Sequence, residues 1–234
     1  VARAVPTVLD RGLGVPEILA GAGVVVAVYR MAAYLRFPAG LIALTSGLAP
    51  RGPLHLRVAV LPPLRAGERV EVDGGALHGD GWTVPPDGPV WTGPLPPLQQ
   101  SHVAVTRWQQ SGFAATPGLD LRDLAARLGG RGPGLTPEGD DVLAGALLAT
   151  RAARGPDAEP ELRAIAAGVR TTEVAAAYLA WAARGQCIEP AHDWLTAEDD
   201  GTRTRAEQRL RRTGATSGEA LLKGLTAVRS QNAV

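Results

Sequence analysis

The 234 residues contain a single cysteine, Cys187. An intramolecular disulfide is therefore excluded, and so is a cysteine-rich metal centre. A thiol nucleophile stays open, although a lone cysteine beside Ile188 at a helix end reads more simply as packing. Aromatic residues are few, and acids and bases nearly cancel to a formal charge of +1. No global field then draws the chain to nucleic acid or to a membrane. No apolar run approaches the roughly 20 residues that span a bilayer, and no signal peptide is evident. A soluble, cytoplasmic protein is the expectation. What abounds is Ala, Gly, Arg and Pro, a bias of the kind GC-rich coding produces, which weakens arguments from composition. The length allows a substantial core in one domain or two.

Residues before Gly21 read as loop and short helix, because Pro6 and Pro16 interrupt any long element. Strands are then expected at Val24–Tyr29, Leu41–Thr45 and Leu54–Val60, from their β-branched and apolar runs. Arg69–Val72 and Ala76–His78 flank Asp73-Gly74-Gly75, a hairpin signal, and Trp82–Val84 adds a short strand. Short strands separated by Gly and Pro point to an antiparallel sheet or small barrel. His55 and His78 fall in these strands without a third ligand at suitable spacing, and read as ordinary surface or half-buried histidines. The stretch from Pro85 to Pro97, with Trp91, reads as a rigid connector, a PxxP-type partner site being the alternative. The expected division is a β-rich domain over 1–97 and a helical domain over 98–234, an α+β protein.

Beyond the connector, helices are expected at Leu98–Gln110, Leu119–Leu128 and Glu159–Arg184, the last with Gly185 just past its end. Leu162, Ile165, Val169, Thr172, Ala176, Leu179 and Ala183 make one stripe of this helix, so Thr172 replaces an apolar residue on the buried face. Thr171 and Thr172 are poor interior helix residues, and Arg170 stands beside them. Either Thr172 bonds back to the Gly168 carbonyl, or the three residues belong to a site. Arg170 would then meet a carboxylate or phosphate through a forked pair of hydrogen bonds. The acids Glu198, Asp199 and Asp200 precede five arginines up to Arg212, the charge order of a solvated helix rather than of a nucleic-acid patch.

The most informative stretch is GGRGPGLTPEGDDVLAGALLA, Gly129 to Ala149. Glycines free the loop, Thr136 is expected to cap a helix and Pro137 to open it. From Val142 the helix has no polar face and must be buried all round. Asp140 lies in line with Leu143 and Leu147, and Asp141 with Ala144, Gly145 and Leu148. Both carboxylates therefore point toward protein or a cleft, beyond the range of simple dipole compensation. Loop amides at Gly132 and Gly134 leading into a helix start suit phosphate or carboxylate. The loop is not a P-loop, since no Lys-Ser or Lys-Thr pair follows, and the spacing is wrong for a dinucleotide fingerprint.

A later motif, GATSGEALLKGL from Gly214, echoes the first with one gap. Thr216 and Glu219 are expected to form a capping box, leaving Ser217 over. Either two similar helix starts meet across one cleft and share an anion among Thr136, Thr216 and Ser217, or the echo is chance.

GPGLTPEGDDVLAG, RTTEVAAAYL at Arg170–Leu179 and GATSGEALLKGL, in that order, resemble the AllH-type family, which includes a subunit of oxamate carbamoyltransferase from anaerobic allantoin breakdown. The resemblance covers most of the chain, more weakly before Gly129. In that family a serine is usual where this chain has Glu138, so a hydroxyl role there does not carry over. The resemblance implies a carbamoyltransferase subunit acting with other subunits on carbamoyl phosphate and a small amide or carboxylate acceptor. Asp140, Asp141 and Thr136 would be catalytic. Gly132, Gly134, Arg170, Thr171, Thr172, Thr216 and Ser217 would bind substrate. No cofactor is implied, with a divalent cation at Asp140 and Asp141 as the exception. The alternatives are a non-catalytic anion- or partner-binding subunit and, from the Asp pair alone, a metal-dependent hydrolase.

Overall fold

The computed structural model describes residues 4–85, 87–93, 95 and 120–227. The chain divides into two compact units, Val1–Thr92 and Gly93–Val234.

The first unit is a nine-stranded sheet curled into a half-barrel. Its strands are β1 (Val8–Gly12), β2 (Gly21–Val28), β3 (Ala32–Phe37), β4 (Gly40–Ser46), β5 (His55–Val58), β6 (Arg69–Asp73), β7 (Ala76–Gly79), β8 (Trp82–Val84) and β9 (Val90–Trp91). A short helix, α1 (Val15–Ile18), follows β1. The order is β8-β7-β6-β2-β3-β4-β5-β1-β9, antiparallel except at β4–β5 and β1–β9. The hairpin at Asp73 forms as its sequence requires. Gly74 and Gly75 both take positive φ, which the tight two-residue turn demands, and Asp73 pairs with Ala76.

Three readings of this region change. Val8–Gly12 is a strand, not loop. Ala32–Phe37, for which no strand was expected, alternates buried Ala33, Leu35 and Phe37 with more accessible Ala32, Tyr34 and Arg36 in the two-residue period of a sheet with one covered face. Trp91, read as part of a rigid connector, lies in a strand whose register pairs it with Gly12. The helix expected at Leu98–Gln110 lies outside the described residues.

His55 is more buried than expected, 6% exposed, with Nδ1 2.8 Å from the Pro50 carbonyl. Burial, and secondarily the Arg57 charge, push its pKa down to about 4 despite that bond. His78 reaches Thr83 Oγ1 at 3.1 Å on the neighbouring strand. Among the described residues no group of three His, Cys, Asp or Glu is placed to hold a metal.

The second unit is helical: α2 (Leu121–Leu128), α3 (Glu138–Arg154), α4 (Glu159–Ala167), α5 (Glu173–Ala183), α6 (Glu189–Thr196), α7 (Asp200–Arg211) and α8 (Ser217–Ala227). No described helix is long and apolar enough to cross a membrane. The core gathers on α3, whose residues from Leu143 to Ala149 are buried without interruption. Leu162, Ile165, Leu179, Trp194, Leu210, Leu221 and Leu225 pack into the same cluster. An all-apolar helix is stable in water only when wrapped like this. Asp199 caps α7 by accepting from Thr202 N at 2.8 Å, as the acid-first charge order suggests.

The helix expected over Glu159–Arg184 is two helices. At the break over Gly168–Thr172, Thr172 caps α5, accepting from Ala175 N at 3.1 Å. A threonine hydroxyl satisfies more backbone at a helix start than it does bonded back inside a helix. Thr172 Oγ1 also donates to the Leu135 carbonyl, which draws the break against the glycine-rich loop.

Candidate functional site

The loop between α2 and α3 begins where Gly129 ends α2. Arg131 N donates to the Leu128 carbonyl at 2.9 Å, and Gly139 N to the Arg131 carbonyl at 2.8 Å. A Cβ on Gly139 would fall 2.1 Å from the Leu128 carbonyl oxygen, so only glycine fits there. The second glycine-rich turn repeats this construction. Thr213 N donates to the Leu210 carbonyl, Gly218 N donates to the Thr213 carbonyl at 2.9 Å, and a Cβ on Gly218 would lie 1.7 Å from Leu210 O. The echo between the two motifs is thus an echo of backbone geometry.

The two helix starts meet. Thr136 Oγ1 lies 3.2 Å from Ser217 Oγ. Thr136 does not cap α3, however: the helix opens after Pro137 with no side-chain cap. Its hydroxyl is turned to α8 instead. Thr216 is exposed, and Glu219 pairs with Arg211 at 3.6 Å rather than closing a capping box. Between the helices Lys223 Nζ reaches Glu138 Oε1 at 3.0 Å.

The adjacent aspartates divide in their environments. Asp140 is 2% exposed and both its oxygens are engaged. Oδ1 accepts from Gly130 N at 2.8 Å and Oδ2 accepts from the Thr171 hydroxyl. It ties the glycine-rich loop to the α4–α5 break, the role of a brace. Asp141 is half-buried, and its Oδ2 is enclosed with no hydrogen-bond partner among the described residues. Loss of hydration pushes its pKa up to about 7. The Ser217 hydroxyl eases this, while the charges of Asp140 and Glu138 add to it. A carboxyl so placed exchanges its proton near neutrality.

Thr171 and Thr172 both stand at the junction, through Asp140 and through Leu135 O respectively. Arg170 is exposed. Its carbonyl packs against Gly130, and its guanidinium has no bonded partner among the described residues. Gly132 and Gly134 are exposed with positive φ; a Cβ on Gly132 would sit 2.8 Å from the amide nitrogen of Glu138. Burial, and secondarily the Asp141 charge, push the Cys187 thiol up to about 12, which opposes formation of a thiolate there. An open groove of about 660 Å³ along α4 and α5, lined by Glu159, Arg163 and Arg184 among others, includes none of the candidate side chains.

These residues lie in one continuous stretch of family likeness. Residues 128–228 match the family model described as oxamate carbamoyltransferase subunit AllH. The AllH match takes in both glycine-rich turns and every candidate residue, and leaves the half-barrel outside it. The family so described is a subunit of a carbamoyltransferase, in agreement with the resemblance carried by the three motifs. Comparison with curated proteins and with solved structures finds no match.

One residue of the cluster escaped the reading of the sequence. Lys223 is the only lysine in a chain with 24 basic residues. That singularity is a signal in the sequence, though only the fold brings Lys223 to Glu138.

Proposed function

We propose that the helical unit supplies the anion-binding and proton-handling part of a carbamoyltransferase that acts on carbamoyl phosphate and a small acceptor such as oxamate. The observation that carries this is Asp141, an enclosed carboxyl with one unbonded oxygen, beside the hydroxyls of Thr136 and Ser217. In the transfer the acceptor nitrogen bonds to the carbamoyl carbon as the bond from that carbon to phosphate oxygen breaks. The nitrogen's proton passes to ionised Asp141 and inorganic phosphate leaves. The Thr136 and Ser217 hydroxyls donate to the oxyanion that develops on the carbamoyl group. Loop amides at Gly132 and Gly134 and the Arg170 guanidinium hold the phosphate or the acceptor carboxylate. Thr171 and Thr172 keep loop and helix in register, with Asp140 as brace rather than base. Thr216, exposed at the rim, meets the acceptor's outer end. On this reading the complex works in the cytoplasm, in allantoin breakdown, with other carbamoyltransferase subunits as partners and neither nucleic acid nor membrane.

The test is Asp141→Asn in the purified complex. Turnover should fall at least a hundredfold with folding intact; full turnover would assign the chain to anion or partner binding alone. A thermal-shift screen of the chain against carbamoyl phosphate, phosphate and oxamate reads binding separately, because a ligand that binds only the folded form raises Tm. A divalent cation at Asp140 and Asp141 is the weaker reading, since it would have to displace the bonds from Gly130 and Thr171. It predicts loss of activity on chelation and rescue by added cation.

A further inference from the structure

The two glycine-rich turns are built alike, so each shows what the other needs. In the first, Arg131 N donates to the Leu128 carbonyl at 2.9 Å, and the Arg131 carbonyl accepts from Gly139 N at 2.8 Å. In the second, Thr213 holds the same place between Leu210 and Gly218, and its hydroxyl donates back to the Arg209 carbonyl at 3.0 Å. The turn therefore forms without an arginine. Arg131 is exposed between Gly130 and Gly132, and its guanidinium has no bonded partner among the described residues. Its backbone is held on both sides while its charge is left over.

A second such arginine stands beside it. A Cβ on Gly130 would lie 2.5 Å from the Arg170 carbonyl oxygen and 3.7 Å from the Thr171 Cα, so the two backbones touch. Asp140 locks this contact, accepting from Gly130 N on one oxygen and from the Thr171 hydroxyl on the other. One buried carboxylate thus fixes the residue before Arg131 and the residue after Arg170. Elsewhere Arg57, Arg151, Arg154, Arg209 and Arg211 each meet a carboxylate. Arg131 and Arg170 meet none among the described residues: Asp140 spends both oxygens on the brace, and Glu138 is held by Lys223. Two like charges carried on touching backbone, with no acid to pair them, suit an anion from outside.

We propose that Arg131 and Arg170 form a two-arginine clamp for one phosphoryl group, in preference to a carboxylate. A carboxylate has a single charge and two oxygens in a plane, which one guanidinium fork satisfies. A phosphate carries up to two charges and spreads its oxygens as a tetrahedron, so two forks can hold it at once. Assigning that phosphoryl group to carbamoyl phosphate, and the carboxylate to the acceptor, rests on the carbamoyl-transfer reading; the clamp does not.

The experiment is a calorimetric titration of the purified chain with inorganic phosphate, carbamoyl phosphate and oxamate at low ionic strength. Wild type should bind one phosphate per chain. Arg131→Thr, which installs the residue of the sister turn, should fold as wild type and weaken phosphate by about tenfold or more, and Arg170→Gln should do the same. Arg131→Thr should weaken oxamate by less than about twofold. A wild-type chain that does not bind phosphate overturns the proposal. So does a folded Arg131→Thr chain that binds phosphate as wild type does, or one that loses oxamate to the same degree. Should Arg131→Thr not fold, Arg131→Gln takes its place with the same expectations. Carbamoyl phosphate separates the clamp from the reaction: if phosphate binds through both arginines and carbamoyl phosphate does not bind, the clamp stands and the carbamoyl-transfer reading falls. If phosphate ignores both arginines, the clamp falls and the turnover test of Asp141 is untouched.

Discussion

Gly145 and Gly224 face each other where α3 crosses α8, and each lies against the other helix's backbone. A Cβ on Gly145 would stand 2.1 Å from the Leu221 carbonyl oxygen, and one on Gly224 1.9 Å from that of Val142. The contact is reciprocal, since Val142 precedes Gly145 by three residues as Leu221 precedes Gly224. It also fixes how far apart the two helix starts lie. Gly145→Ala or Gly224→Ala should each destabilise the helical unit by about 3 kcal/mol. The double variant should cost less than the two effects added, because one separation of the helices relieves both clashes. Urea unfolding followed by circular dichroism checks this; additive losses would show that the crossing is not one shared contact.

Asp140 is expected to matter for order rather than for proton transfer. Asp140→Ala leaves the Gly130 amide without its acceptor, which should cost about 2–3 kcal/mol. Asp140→Asn should cost about 1 kcal/mol, since its remaining oxygen serves Gly130 while the Thr171 hydroxyl turns to accept from the new amide. Hydrogen exchange at Gly130 N is the direct readout. Equal acceleration in both variants would remove the brace.

Two groups that lose hydration on folding give the units opposite responses to pH. For Asp141, raised from 3.8 to about 7 in the folded chain, the stabilising contribution is fully present below pH 3.8 and is lost as pH rises through 7. Asp141→Asn should therefore gain on the order of 2 kcal/mol over wild type at pH 8 and nothing at pH 4, after discounting for partial exposure. For His55, lowered from 6.5 to about 4, the contribution is present above pH 6.5 and is lost as pH falls through 4. His55→Gln should flatten that acid-side loss in the half-barrel. Hydrogen exchange across pH 4 to 8, read separately on core amides of the two units, tests both. The same slope in both units would contradict this assignment.

Much of the protein was legible in the residues, wherever the signal is short in range. The Asp73-Gly74-Gly75 turn, the end of α2 at Gly129, the acid-first charge order of α7 and the burial of α3 all depend on residues within about two helical turns of each other. The two-unit order of strands and then helices follows from the same local periods, and the likeness of the two glycine-rich motifs could be read from their residues. Tertiary structure decided the rest. A run of apolar residues at spacings of three and four supports one long helix over Glu159–Arg184 as well as two. The break at Gly168–Thr172 is settled by Asp140 and Leu135, 31 and 37 residues away from the threonines they bond. Thr136 gives up its expected cap for Ser217, 81 residues on. The fates of Asp140 and Asp141, neighbours of one residue type, are likewise set by which donors the folded chain brings to each. A side chain's type states what it can bond; which partner it receives, and how much water it keeps, belongs to the packing.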